Sequence, residues 1–189
     1  GNAILAGNHL SYLDIIVIGS QLKTCYVTST EIRETPGLGH VCLMAGCLFV
    51  ERRSRSQLHK EIDELKQGLD RGLVVTIFPE ATSTNGDAVL RFRRPLFLSA
   101  VQAQKPVVPI CVNYKTIAGE PVTLKNRDEI CWYGDMPFGS HLWNVCGRGP
   151  IEADLHFLPG VTPGREEDPG DVAVRAQTAV EAVFRPIGK

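Results

Sequence analysis

The sequence predicts one α/β domain built on a central, mostly parallel mixed β-sheet flanked by helices. Three observations carry that expectation. Short apolar runs of strand length alternate with segments whose apolar residues recur at helical spacing. The run 73–78 is almost continuously apolar, the pattern of a strand covered on both faces. A chain of 189 residues accommodates one domain of ordinary size.

Residues 3–6 read as a buried strand ending at Gly7, and 13–18 as a buried helix, with the polar turn Asn8-His9-Leu10-Ser11 between them. Residues 25–28 form a second strand, 38–45 a short helix and 47–50 a third strand, which Arg52-Arg53-Ser54-Arg55 interrupts. Leu58, Ile62, Leu65 and Leu69 recur at helical spacing, with Ser54 or Ser56 as cap and Gly72 in the stopping position. After the strand at 73–78, residues 95–104 predict a helix with Pro95 near its first turn, and 107–112 the next buried strand. Residues 115–128 are loop-rich. Residues 130–133 and 151–157 are strands, the second showing Ile151, Ala153, Leu155 and Phe157 on one face. Asp168-Pro169 caps and opens a last helix through about residue 184, with Val172, Ala176, Ala179, Val180 and Val183 inward. No internal repeat, low-complexity tract or linker divides the chain, so residues 1–189 form one domain.

Composition narrows the function. With 43% hydrophobic and 22% charged residues, wholesale disorder, collagen and coiled coil are excluded. Twenty Lys plus Arg stand against 21 Asp plus Glu, and a net charge of −1 disfavours a nucleic-acid partner. Six scattered cysteines without a CxxC pair read as reduced, buried thiols; Cys42 and Cys47 with His40 lack the second ligand cluster a zinc site recruits, so no metal is expected. The apolar runs fall far short of the ~18 residues that cross a bilayer. The chain opens on Gly1, directly in a strand pattern, and reads as the soluble part of a longer protein whose anchoring segment lies upstream.

The chemistry concentrates in Asn8-His9-x-Ser11-x-x-Asp14, between a strand end and a helix start. Imidazole is the side chain best matched to proton transfer near neutral pH. Positions five apart lie about 140° apart around a helix, so His9 meets Asp14 only if it precedes the helix and folds back over its first turn. Asp14 then accepts one ring N–H and leaves the other nitrogen free as a base. A plain polar turn, with Asn8 or Ser11 capping and His9 incidental, stays open on this motif alone.

Asn8-His9-x-Ser11-x-x-Asp14 resembles the first block, NHxSxxD, of the glycerolipid acyltransferases, the 1-acyl-glycerol-3-phosphate acyltransferase type. Gly46-x-x-Phe49-x-x-Arg52 resembles their second block, Phe78-Pro79-Glu80-Ala81-Thr82-Ser83 their third, FPEGTRS, and Val108-Pro109-Ile110 their fourth. All four stand in the family's order over roughly the first 110 residues. The resemblance implies a glycerol-3-phosphate acyltransferase-like fold. It also implies acyl transfer from acyl-CoA or acyl-carrier protein to a lysolipid hydroxyl in phospholipid biosynthesis, at the cytoplasmic face of the membrane and with no cofactor. It makes His9 and Asp14 catalytic, and Asn8, Ser11, Phe49, Arg52, Glu80, Ala81, Thr82 and Pro109 substrate contacts. Arg52 is the implied anion contact, and Glu80 orients acceptor hydroxyls or holds a neighbouring arginine. No covalent intermediate is required, and Ser11, outside any GxSxG elbow, caps or binds. Oxyanion donors are expected at the helix start after His9 and around residues 80–82.

Two positions depart from the pattern. Ala81 replaces the third block's glycine, which predicts a negative φ there unless the backbone is strained. Ser83 replaces its arginine and removes a phosphate-gripping fork. Lysophosphatidic acid is the default acceptor, and the loss of the fork makes lyso-ornithine lipid the alternative. Thr84-Asn85-Gly86 and Arg91-Phe92-Arg93-Arg94 resemble family branches that accept larger lysolipids, and Ser140-His141-Leu142-Trp143-Asn144 is loosely similar to bacterial members. Arg91, Arg93 and Arg94 suit the donor's phosphates, an anionic membrane surface at roughly 1 kcal/mol each, or plain solvent. His40, His59, His141 and His156 read as structural or exposed. A His9/Asp14 hydrolase of thioesters or phosphoesters, and a lipid-binding protein without turnover, remain the other readings.

Overall fold

The computed structural model describes residues 2–29, 34, 37–44, 47–50 and 55–188. In chain order the elements are β1 (Ile4–Gly7), α1 (Leu13–Gly19), β2 (Cys25–Ser29), α2 (Leu38–Met44), β3 (Leu48–Val50), α3 (Arg55–Asp70), β4 (Val75–Ile77), α4 (Phe97–Ala103), β5 (Val107–Ile117), β6 (Glu120–Pro121), α5 (Phe138–Cys146), β7 (Ile151–Phe157) and α6 (Pro169–Glu181). Strands pair in the order β3-β2-β4-β1-β5-β6, with β7 also on β5. The first five strands run parallel, and β6 and β7 are antiparallel to β5. The expected mixed, mostly parallel sheet is the one found.

Alternation along the central strand sorts its side chains into two cores. Ile4 and Ala6 pack with Val75, Ile77, Phe97 and Val172 on one face, whereas Leu5 packs with Leu10, Ile18, Ile110 and Ile130 on the other. Both faces are covered, so β1 is buried throughout. Gly7 closes it for a steric reason: a Cβ there would stand 2.9 Å from Ile110 Cγ1. The last helix opens as expected, with the Asp168 carboxylate accepting the Gly170 N–H at 2.6 Å and Pro169 in the first turn.

Four expectations need correction. Residues 130–133 form no strand; a 3-10 turn at Arg127–Glu129 precedes them, Cys131 is tied back to Arg127, and Ile130 and Cys131 fill the core. β5 does not stop at 112 but runs to Ile117, because β7 pairs with it from Ile110 to Ile117 and satisfies the backbone of the supposed loop. Pro95 sits in a separate 3-10 turn, Arg94–Leu96, ahead of α4. Of the cysteines, Cys42, Cys47, Cys111 and Cys131 are buried and free, but Cys25 is half-buried and Cys146 is exposed. Among the described residues, no helix is long and apolar enough to cross a membrane.

Candidate active site

β1 and β4 are parallel neighbours in the register Ile4 to Val75 and Ala6 to Ile77, an offset of 71 residues. Continued past the strand ends, that offset sets His9 against Glu80, and the His9 N–H donates to Glu80 Oε1 at 2.8 Å. The first and third sequence blocks therefore meet at the carboxyl edge of the sheet, where ligands of parallel α/β sheets bind. The loop after β4 wraps the histidine on both sides, since the Thr84 N–H donates to the His9 carbonyl at 2.9 Å.

His9 does precede α1. Its Nδ1 lies 2.8 Å from Asp14 Oδ2, with 19% of the histidine side chain exposed and the aspartate fully buried. The ring stacks on Phe78, centroids 4.1 Å apart and planes 15° from parallel, which fixes its orientation from one face. With Nδ1 turned to the carboxylate, Nε2 is the nitrogen left for a substrate. Asp14 Oδ2 also accepts the N–H groups of Leu10 at 2.7 Å and Ser11 at 3.0 Å, and Oδ1 accepts the Tyr114 hydroxyl at 2.7 Å. A carboxylate without solvent is thus held by four donors, the arrangement that lets a buried charge persist. Burial, then the charge of Asp14, pushes the Tyr114 phenol far above its ordinary range, so it stays a donor.

The remaining motif residues divide into scaffold and rim. Asn8 is 1% exposed and gives its whole amide to the Val112 peptide, Nδ2 to the carbonyl and Oδ1 from the N–H, each at 2.9 Å. It extends the β1/β5 ladder by one side-chain rung, a scaffold role the sequence reading did not give it. Ser11 is likewise fully buried, its Oγ accepting the Leu13 N–H at 3.3 Å at the start of α1, the capping half of the expectation. Pro109 is buried in β5 opposite Ala6, with its carbonyl taken by Leu158 N–H at 2.9 Å. It sits just past the last β5/β7 pair, where a missing N–H costs the ladder little. It too serves the sheet as scaffold.

Glu80 is 2% exposed and spends both oxygens on backbone: Oε1 on His9 and Oε2 on the Leu90 N–H at 2.9 Å. It therefore ties two loops together, and among the described residues no arginine pairs with it. Burial pushes its carboxyl up to about 7, against the lowering effect of those two donors. Ala81 has φ +62°, in the left-handed region, so the expected negative φ is wrong and the strained alternative holds. The alanine keeps the backbone bend that the family's glycine makes without a Cβ. Thr82 is exposed on the rim. Phe49 is placed by its backbone alone, in register with Thr28 on β2. Gly46, Arg52 and Ser54 lie outside the described residues. Three of the helix-start N–H groups expected to stabilise an oxyanion are spent: those of Leu10 and Ser11 on Asp14, and that of Leu13 on Ser11.

Sequence reasoning misses Tyr114, 100 residues from Asp14, and the stacking role of Phe78. The available signal for Tyr114 is a polar Asn113-Tyr114 pair at the tail of an apolar run. Of the other histidines, His141 is buried with its Nδ1 2.9 Å from the Tyr12 hydroxyl, His156 is half-buried and His40 exposed; His59 is placed on α3 by its backbone. A trough of about 760 Å3 adjoins the site, lined by Glu80, Thr82 and the 90–94 segment on one side and the start of α6 on the other.

Residues 1–113 match the Acyltransferase family model. The chain is 28% identical over 177 residues to a lyso-ornithine lipid O-acyltransferase of Rhizobium meliloti, covering 90% of this chain and 61% of that protein. It is 26% identical over 180 residues to a 1-acyl-sn-glycerol-3-phosphate acyltransferase of Neisseria gonorrhoeae, covering 95% of this chain and 68% of the relative. In fold it resembles the crystal structure of the 1-acyl-sn-glycerophosphate (LPA) acyltransferase PlsC from Thermotoga maritima, at a TM-score of 0.57 and 22% identity, covering 100% of this chain and 68% of that one. The chain thus spans about two thirds of the length of these proteins.

Proposed function

The chain belongs to the Acyltransferase family, and from that premise we propose that it moves a fatty acyl group from acyl-CoA or acyl-carrier protein to a lysolipid hydroxyl. One observation carries the reading: a fixed imidazole, braced at Nδ1 by a buried four-donor carboxylate, presents its other nitrogen at the carboxyl edge of the sheet.

The steps follow from that geometry. His9 Nε2 takes the acceptor's hydroxyl proton as the oxygen attacks the thioester carbonyl carbon. Asp14 stabilises the imidazolium formed. The tetrahedral intermediate collapses by breaking the carbon–sulfur bond, and the departing thiolate recovers the proton from His9. With the Leu10, Ser11, Leu13, Ala81 and Thr84 N–H groups engaged, the oxyanion's donors are to be sought among the other N–H groups around residues 80–83. Ser11 cannot serve as a nucleophile from its buried position.

The acceptor is a lysolipid, acylated in phospholipid or related membrane-lipid synthesis at the cytoplasmic membrane surface. Lyso-ornithine lipid stands beside lysophosphatidic acid because Ser83 lacks the guanidinium fork that would grip a phosphate. The test is turnover of labelled palmitoyl-CoA with and without each acceptor, in wild type and His9→Ala. Acceptor-dependent transfer that disappears in His9→Ala, with an unchanged circular dichroism spectrum, supports the reading. Near-full turnover in the variant refutes the base, acceptor-independent loss of thioester makes the protein a hydrolase, and binding without turnover makes it a lipid-binding protein.

A further inference from the structure

The trough beside the site holds two arginines that the reaction as described leaves unused. Arg91 and Arg93 are exposed, line the trough and have no ion-pair partner among the described residues. Their neighbour Arg94 is different, since it pairs with Asp168 at 3.3 Å. Phe92 between them is 3% exposed and points into the core, so the alternation of an extended chain turns Arg91 and Arg93 toward the same side. The segment is held from both directions: Leu90 N–H by Glu80, Phe92 N–H by Gln177 Oε1 at 2.9 Å, and Arg93 N–H by the Pro79 carbonyl at 2.9 Å. Two guanidinium groups are therefore presented from a backbone tied to the same glutamate that holds His9. The acids lining the trough are Glu80, Asp168 and Asp171. Glu80 is spent on backbone donors and Asp168 on Arg94 and the α6 cap, which leaves two arginines against one aspartate. The trough also offers apolar surface, Leu90 at 43% and Val174 at 62% exposure.

We propose that this trough seats the acyl donor's pantetheine arm, with Arg91 and Arg93 gripping the phosphate at its far end. The inference rests on the acyl-transfer reading and adds a donor subsite to it. The choice of donor over acceptor follows from bond counting. A lysophosphatidate's phosphate lies a few bonds from its reacting hydroxyl and must sit close to His9. The donor's phosphates lie a whole pantetheine arm from the reacting carbonyl, across a stretch of amides and methylenes that matches an apolar trough with a basic rim. Planar guanidinium groups read phosphate oxygens bidentately.

The experiment compares wild type with Arg91→Gln/Arg93→Gln, using palmitoyl-CoA and palmitoyl-acyl-carrier protein as donors, at fixed saturating acceptor and then the reverse. The expected result is a donor KM raised about tenfold or more, from two lost charge-assisted contacts, with kcat and acceptor KM within about twofold. A rise with both donors assigns the arginines to the pantetheine phosphate they share, and a rise with palmitoyl-CoA alone to the nucleotide phosphates; each supports a donor site. Arg91→Lys/Arg93→Lys recovers part of the affinity. An unchanged donor KM overturns the proposal, whether the acceptor KM rises instead or binding to anionic phosphatidylglycerol vesicles falls. Calorimetric titration with free CoA reads the site without turnover. Arginine-dependent CoA binding by a protein that transfers no acyl group would refute the acyl-transfer reading while upholding the subsite, and transfer without arginine-dependent binding would do the reverse.

Discussion

Replacing Ala81 by glycine should stabilise this protein, against the usual effect of putting glycine into a folded chain. The residue holds φ +62°. For an L-residue the left-handed conformation costs about 1–2 kcal/mol, because Cβ crowds the carbonyl oxygen. Glycine adopts it freely but loses about 0.5–1 kcal/mol more backbone entropy on folding. Subtracting the midpoints leaves Ala81→Gly more stable by about 0.75 kcal/mol, within bounds of about 0–1.5. For a domain of this size each kcal/mol moves Tm by about 2–4 °C, so the rise at that midpoint is about 1.5–3 °C. Scanning calorimetry of the two proteins under one buffer and scan rate reads it. Ala81→Val supplies the opposite sign, since a β-branched side chain suits that φ worse than alanine does. A Tm for Ala81→Gly equal to or below wild type would refute the argument, meaning that alanine's Cβ contributes more in contact than it costs in strain.

Two further outcomes follow from the groups around the histidine. Tyr114→Phe removes a 2.7 Å hydrogen bond from a fully buried carboxylate and should cost about 1.5–3 kcal/mol in urea unfolding, with a fall in kcat; an unmoved midpoint would mean that Asp14 does not need its fourth donor. Glu80, whose folded carboxyl is pushed by burial from 4.5 to about 7, favours the fold in its protonated form. Its contribution is complete below pH 4.5, and about 3 kcal/mol of it is lost as pH rises through 7. The stability difference between wild type and Glu80→Gln should therefore shift by that amount across this window, on top of the pH-independent cost of setting an amide NH2 against a backbone N–H. A flat difference between pH 4 and 8 would remove the burial argument.

The chemistry was more legible than its support. His9 and Asp14 are five residues apart, and their meeting follows from local geometry once the turn and the helix start are placed, because only a histidine ahead of the helix can fold back on the acid. The partners that hold Asp14 and Glu80 are different in kind. Tyr114 reaches Asp14 only because β5 continues past 112, and β5 continues because β7 returns antiparallel along it. No spacing within either segment encodes that pairing. Asn8 shows the same limit: a polar residue beside a reactive histidine invites a binding role, and its pairing with Val112, 104 residues away, is written in no local spacing. Ala81 marks the limit from the other side. The sequence identified where the backbone would be strained but not whether the fold would accept the strain, because that depends on what surrounds the turn.

What surrounds it is the glutamate. The β1/β4 register delivers Glu80 beside His9 whatever the residue after it does, since the 71-residue offset is fixed by Ile4, Leu5 and Ala6 against Val75, Thr76 and Ile77. Once there, a buried carboxylate must find donors, and it takes one from each side: the His9 N–H from the first block, and the Leu90 N–H from the segment that carries Arg91 and Arg93. The chain must therefore turn within the short stretch after Glu80, where the Ala81 N–H closes onto the Phe78 carbonyl at 3.0 Å and the Thr84 N–H onto the His9 carbonyl. A positive φ at residue 81 belongs to a turn that satisfies all of these backbone groups at once. A strain of about 1–2 kcal/mol at Ala81 is smaller than the cost of leaving the buried Glu80 carboxyl and its two part-buried N–H donors unpaired together, at about 1–3 kcal/mol for each buried group and more for a charge. On those magnitudes the strained turn prevails over a relaxed one, and the third block's bend survives the loss of its glycine.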